Sequence, residues 1–208
     1  MMKPKRVSFT PVTGAANNIA TSQTPTTGFT LNGALCSGGV LPEQTLGYIV
    51  VLTTAADETA TPKTITITGT SQDGKAQTEN VTAPNATTAA STKFYKSVSS
   101  ITCSVGFLGA ATVGTSNATL CAATPTYCVD MGAEYTTLAA DIGGTINFTL
   151  QKCYERPTAG ETPNWITAQA AGAVDVQTLI TGPVGAVRAQ INSYTNTATF
   201  AMSILQAD

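Results

Sequence analysis

The sequence predicts an all-β fold, arranged as one or two antiparallel β-sandwich or jelly-roll-like domains. Three observations carry that expectation. Thr64-Ile65-Thr66-Ile67-Thr68 alternates strictly between oily and hydroxyl side chains, the period of a strand with one buried face. Charged residues make up only 11% of the 208 positions, against about 25% in ordinary soluble domains. Threonine takes much of their place, filling roughly a fifth of the chain. It is β-branched, which favours extended backbone, and its hydroxyl tolerates water. Short apolar runs separated by turn residues recur along the chain, as sandwiches and jelly rolls require.

Taken in order, residues 1–30 are polar and poor in periodic hydrophobes and read as an extended N-terminal arm. Within it, Asn17 to Ser22 reads as a loop or short edge strand. Leu31 to Leu41 has spaced apolar residues broken by Gly33, Gly38 and Gly39. Tyr48 to Thr53 is a continuous apolar run suited to a buried strand. The alternating strand at 64–68 is followed by Asp73-Gly74, which supplies the left-handed residue of a tight hairpin turn, and the chain returns through Ala76 to Thr82. A third strand runs from Phe94 to Cys103. Its alternation slips, which predicts a bulge. Ala111 to Val113 closes a first domain spanning 31–116. The unpatterned stretch from Gly114 to Pro125 marks the boundary with a second, 117–208. There Thr145 to Gln151 alternates again. Ala168 to Thr181 has some helical spacing, but its valines and threonines argue for strand. Ala186–Asn192 and Thr197–Leu205 read as a hairpin around Ser193-Tyr194-Thr195-Asn196, with Ala198, Phe200, Met202 and Ile204 on one face.

The chemistry that composition leaves open is narrow. There is no histidine, so Ser-His-Asp and Cys-His arrangements and an imidazole base are excluded. No P-loop and no Gly-x-Ser-x-Gly turn occurs. Cys36, Cys103, Cys121, Cys128 and Cys153 contain no Cys-x-x-Cys pair and fit no common zinc spacing. They read as small buried hydrophobes in a reducing compartment, with a Cys121–Cys128 bridge as the weaker alternative. Carboxylate pairs such as Glu134 with Asp141, or Asp57 with Glu58, invite comparison with β-rich glycosidases. Asp130, Glu134 and Asp141 invite comparison with a calcium site, though not at EF-hand spacing. Twelve carboxylates on a small protein produce such pairs by chance. The expectation is therefore no enzyme, no cofactor and no metal. A net charge of −2 gives no basic stripe for nucleic acid, and no apolar run approaches a membrane span. The start, Met1 to Arg6, leads into Val7-Ser8-Phe9-Thr10-Pro11 rather than an apolar signal segment. Candidate interface residues are the basic cluster Lys3, Lys5 and Arg6, with Trp165 and Tyr194 as aromatic anchors. A chain with so few charges has little to keep copies apart, which points to a surface hidden against neighbours.

Several segments share a style. They are Thr64-Ile-Thr-Ile-Thr-Gly-Thr-Ser-Gln-Asp-Gly-Lys75, Thr78-Glu-Asn-Val-Thr-Ala-Pro-Asn85 and Lys93-Phe-Tyr-Lys-Ser-Val-Ser-Ser-Ile-Thr102. Asn17-Asn18-Ile19-Ala20, Leu31-Asn32-Gly33-Ala34 and Gly182-Pro-Val-Gly-Ala-Val-Arg188 belong with them. Over about half the chain, this resembles a β module common in virion proteins of tailed bacteriophages. The resemblance implies a structural virion role with no catalytic residue to carry over. The leading expectation is a capsid decoration (cement) protein, made in the host cytoplasm and located in the virion. Its partners would be its own copies, as a homotrimer, and the major capsid protein or other virion proteins, with no nucleic acid and no membrane. The alternatives are a tail, collar or head–tail connector component, or a glycan-binding β-sandwich on a fibre.

Overall fold

The computed structural model of the protein describes residues 4–59, 61–157 and 163–207, and in these the fold is all-β and antiparallel. The chain divides into a central unit, Thr13–Asn117, and a terminal unit formed by Met1–Val12 with Ala118–Asp208.

The terminal unit is a two-sheet sandwich. Its first sheet has four strands, β1 (Lys5–Phe9), β10 (Tyr135–Gly143), β13 (Val176–Thr181) and β15 (Thr199–Ala207), in the order β1-β15-β10-β13. The second runs β12-β11-β14, from β12 (Ile166–Gly172), β11 (Ile146–Cys153) and β14 (Ala186–Tyr194). The short β8 (Ala122–Ala123) and β9 (Tyr127–Cys128) both pair with β14. Alternation explains the layers. On β15, Phe200, Met202 and Ile204 are buried, as their spacing predicts. Phe200 meets Phe148 of β11 edge-on, with centroids 5.0 Å apart. Leu138, Ala140, Ile146, Leu150, Val187 and Ile191 complete this core. Gln206, buried at the end of β15, is held on three sides. It accepts from Asp130 N (2.8 Å) and donates to Asp130 O (2.9 Å) and Thr136 Oγ1 (3.0 Å).

The central unit takes its strands in the order β2-β7-β3-β6-β4-β5. They are β2 (Ala15–Gln23), β3 (Gly47–Thr54), β4 (Thr64–Ser71), β5 (Ala76–Thr82), β6 (Thr88–Cys103) and β7 (Ala111–Thr115). The 16-residue β6 gives its first half to β3 and its second to β4. That bends the sheet around Ile19, Leu41, Val50, Ile65, Ile67, Tyr95, Val98, Ile101 and Val113. The predicted bulge is a register shift between Thr68 and Gly69 against β6. Gly69 sits where a Cβ would lie 2.0 Å from the Ser97 carbonyl oxygen, so only glycine fits. The β4–β5 hairpin turns as expected, with Gly74 at φ +75° and its N–H donating to Ser71 O at 2.9 Å.

Three expectations are corrected. The described part of the expected N-terminal arm, residues 4–30, is not an arm. Val7 and Phe9 align with Met202 and Phe200, and Ile19 and Ala20 of β2 are fully buried. Sparse apolar residues suffice when each fills a core position. The division between units falls between Asn117 and Ala118, but the second unit also takes in the N-terminal strand. Finally, β14 and β15 do not form a hairpin. β14 pairs with β11 and β15 with β10 and β1, so the chain crosses between the sheets at Thr195, whose N–H donates to Thr145 O at 2.9 Å. The segment 168–181 holds strands β12 and β13, with no helix among the described residues.

Candidate functional site

The outward face of the first sheet of the terminal unit is the most distinctive surface that these elements build. Register fixes what it carries. Leu205, Thr137 and Leu179 lie in one row across β15, β10 and β13, with Tyr135 in the row beside them. Leu179 is 60% exposed, Leu205 47% and Tyr135 37%. The next rows carry Ser203, Ala139 and Gln177, then Ser8, Ala201 and Asp141. Charge appears at two ends of the face: Arg6 Nη2 lies 2.9 Å from Asp141 Oδ2 at one corner, with both side chains more than half exposed, and the exposed Glu134 stands beside Tyr135 at the other. Beside the ion pair is a shallow depression of about 250 Å³ lined by Arg6, Ser8, Asp141, Gly143, Thr199 and Phe200. A hydrogen bond to the Glu134 carboxylate raises the Tyr135 phenol above its ordinary range.

The expected interface residues are not gathered at one place. Lys3 lies outside the described residues. Lys5 and Arg6 stand on edge strand β1. The Lys5 ammonium lies 4.4 Å from the centre of the Tyr127 ring, and Arg6 is taken by Asp141. Trp165 is half-buried, with the Arg188 guanidinium 4.3 Å over its ring, and Arg188 Nε donates to Gln151 at 2.7 Å. Tyr194, expected at an exposed hairpin tip, is 5% exposed, and its hydroxyl donates to Val12 O at 2.8 Å. It is a core residue because β14 ends inside the sandwich, and it has no face to offer a sugar.

The carboxylate pairs are pulled apart or consumed. Glu134 immediately precedes β10 and Asp141 lies near its far end. Seven residues of strand span about 23 Å, well beyond the roughly 5–9.5 Å that separate glycosidase carboxyls. Asp130 Oδ1 accepts from Gly132 N (3.0 Å), and no cluster of three or more His, Cys, Asp or Glu side chains occurs among the described residues. Asp57 accepts from both the N–H and the hydroxyl of Thr59, which lowers its pKa. None of the five cysteines is in a disulfide. Cys121 is buried, with its Sγ 3.1 Å from Asn192 O, while Cys128 is exposed.

Glu58, which the sequence sets beside Asp57, has a partner that the sequence does not reveal, Lys63. Its carboxylate and the Lys63 ammonium are 0% and 1% exposed and lie 2.9 Å apart. The N–H groups of Leu108 and Gly109 both donate to it at 3.0 Å. Burial alone would raise the Glu58 pKa, but the Lys63 and backbone hydrogen bonds outweigh it and hold the carboxyl below its ordinary range. Buried and held by these three donors, the carboxylate is a clamp between the loop after β3 and the loop before β7. The only sequence signal was two charges, five residues apart, in a chain that otherwise avoids them.

No family model matches the sequence, and no curated protein sequence matches it either. Among solved structures, a crystallised protein from Parabacteroides distasonis matches with 8% identity over 96% of this chain and 88% of its own, at a TM-score of 0.26. The structure of infectious bursal disease virus, Gx strain, matches with 8% identity over 99% of this chain and 71% of its own, at a TM-score of 0.19. At those scores neither likeness bears on function.

Proposed function

We propose that this chain is a non-catalytic structural subunit that works by packing its charge-poor sheet surface against copies of itself and a larger assembly. The outward face of β15, β10 and β13 carries that reading. Tyr135, Leu179 and Leu205 stand in water there, with one exposed ion pair at the far corner and the Glu134 carboxylate beside Tyr135. A sheet face meant for solvent alternates its buried residues with polar and charged ones. One that leaves large apolar groups exposed with so few charges is better matched to another protein surface. The engagement of Glu58, Asp57, Asp130 and Asp141 by their own neighbours is in keeping with a role that needs no chemistry.

The larger assembly in this proposal is the particle of a tailed bacteriophage, on the resemblance of residues 64–113 and their companions to virion β modules. The station is the outer capsid, as a decoration protein in contact with the major capsid protein. The test is to mix purified protein with undecorated capsids and count copies bound per particle. Saturable binding at a fixed stoichiometry is expected. Binding to tails or connectors instead moves the protein to a different station in the particle. No binding to any part of the particle removes the virion reading.

A further inference from the structure

We infer that the free edge of β13 is a two-fold pairing site for a second copy of this chain. The inference rests on the assembly reading above and names the strand that carries it. A sheet edge exposes unpaired N–H and C=O groups, and proteins usually guard it with charge, bulges or a covering segment. Among the described residues, the free edge strands of five residues or more differ in that respect. β1 carries Lys5 and Arg6. β12 has two register shifts against β11, which kink it. β5 carries Glu79, and the Lys93 ammonium sits on its Thr78 carbonyl at 2.8 Å. β2 is covered by the segment after Thr30, with Gly33 and Leu35 donating to Ile19 O and Asn18 O. β13, Val-Gln-Thr-Leu-Ile-Thr, has no charge and an unbroken register of six pairs with β10, and no described strand lies beyond it.

Its hydrogen-bonding phase follows from two contacts. Ile142 N donates to Asp175 Oδ1 (2.7 Å) and Gly182 N donates to Glu134 O (3.2 Å). Even-numbered positions of β10 therefore bond toward β13, and the even-numbered residues of β13 bond back. Gln177, Leu179 and Thr181 are left with their backbone groups pointing away from the sheet. These three residues are self-complementary about Leu179. In an antiparallel two-fold pairing Leu179 faces the partner's Leu179, and Gln177 faces the partner's Thr181. Every outward N–H and C=O then finds a mate and no like charges meet. A one-residue slip would set outward groups against groups already used, and a two-residue slip keeps the phase but moves Leu179 off its own copy and breaks the apolar row. The same pairing continues the exposed row Leu205–Thr137–Leu179 across the axis into its own copy. The two leucines with the most exposed area on this face then share one stripe. A second copy fits an edge of this kind because it supplies the matching phase, neutrality and apolar row together.

The test uses the full chain with exposed Cys128 replaced by serine. Leu179→Cys should be linked to itself by a short bis-maleimide, and Gln177→Cys mixed with Thr181→Cys should give a linked pair. Leu179→Lys sets two ammonium groups face to face and should raise the concentration at which copies associate by about tenfold or more, with the circular dichroism of the fold unchanged. If the wild-type chain associates but Leu179→Cys is not linked and Leu179→Lys does not weaken association, the β13 contact is overturned and the assembly reading stands. If the wild-type chain stays monomeric at high concentration, both are overturned.

Discussion

Replacing Lys63 by methionine keeps most of the volume of a side chain that is 1% exposed and removes the ammonium 2.9 Å from a fully buried carboxylate. The N–H groups of Leu108 and Gly109 still reach that carboxylate, but no positive charge faces it. Breaking one side of a buried ion pair costs about 3–5 kcal/mol, most of it the penalty of stranding the remaining charge. Adding Glu58→Gln removes the stranded charge while leaving an oxygen for the two N–H groups. The double variant should therefore be more stable than Lys63→Met alone, with a coupling of about 2 kcal/mol or more. Urea denaturation at neutral pH, followed by far-ultraviolet circular dichroism, reads this directly. With a slope of about 1.5–2 kcal/mol/M, the midpoint for the central unit should fall by about 2 M in Lys63→Met and recover part of that in the double variant. A single variant within about 1 kcal/mol of wild type, or strictly additive effects, would refute the clamp.

Glu58 also predicts a pH dependence. Its folded pKa lies below the unfolded value of about 4.3, so between the two the unfolded chain holds the extra proton. The stabilisation is fully present above about pH 4.3 and is lost as pH falls through the lower folded value, and Glu58→Gln should flatten this acid limb of the stability curve. Gln206→Leu leaves the N–H and C=O of Asp130 and the Thr136 hydroxyl without their partner, so it should cost about 2–3 kcal/mol and speed hydrogen exchange at the Asp130 amide. Arg188→Ala uncovers the Trp165 ring and frees Gln151, so the emission of the only tryptophan should shift to the red with a loss of about 1–2 kcal/mol. An unchanged emission maximum would mean the guanidinium is not over the indole in solution.

Legibility in the sequence followed the range of the interaction. Strand content and facing were readable at 64–68, 145–151 and 197–205, because side-chain alternation is a local property that the buried face enforces residue by residue. Pairing was not. β14 and β15 look like a hairpin because four polar residues separate two alternating runs, yet the same short link also lets a chain cross from one sheet of a sandwich to the other. What decides is which partners the runs find, and those are β11 and β10, far back in the sequence. The strands within residues 4–30 escape a local reading for the same reason, since Val7 finds Met202 and Ile19 finds a core assembled from five other strands. The Glu58–Lys63 clamp was hidden because its second half, Leu108 and Gly109, contributes only backbone. Of the candidate surface, the scarcity of charge was visible in composition. The exposed row of Leu179 and Leu205 required the register.

The most direct test of a packing role is the mass of the purified chain in solution, measured by light scattering across a wide concentration range. The mass should rise from the 21.2 kDa of one chain to twice that value or an even multiple, and Leu179→Lys should displace this rise to higher concentration. A mass that stays at one chain at every concentration would contradict the packing role.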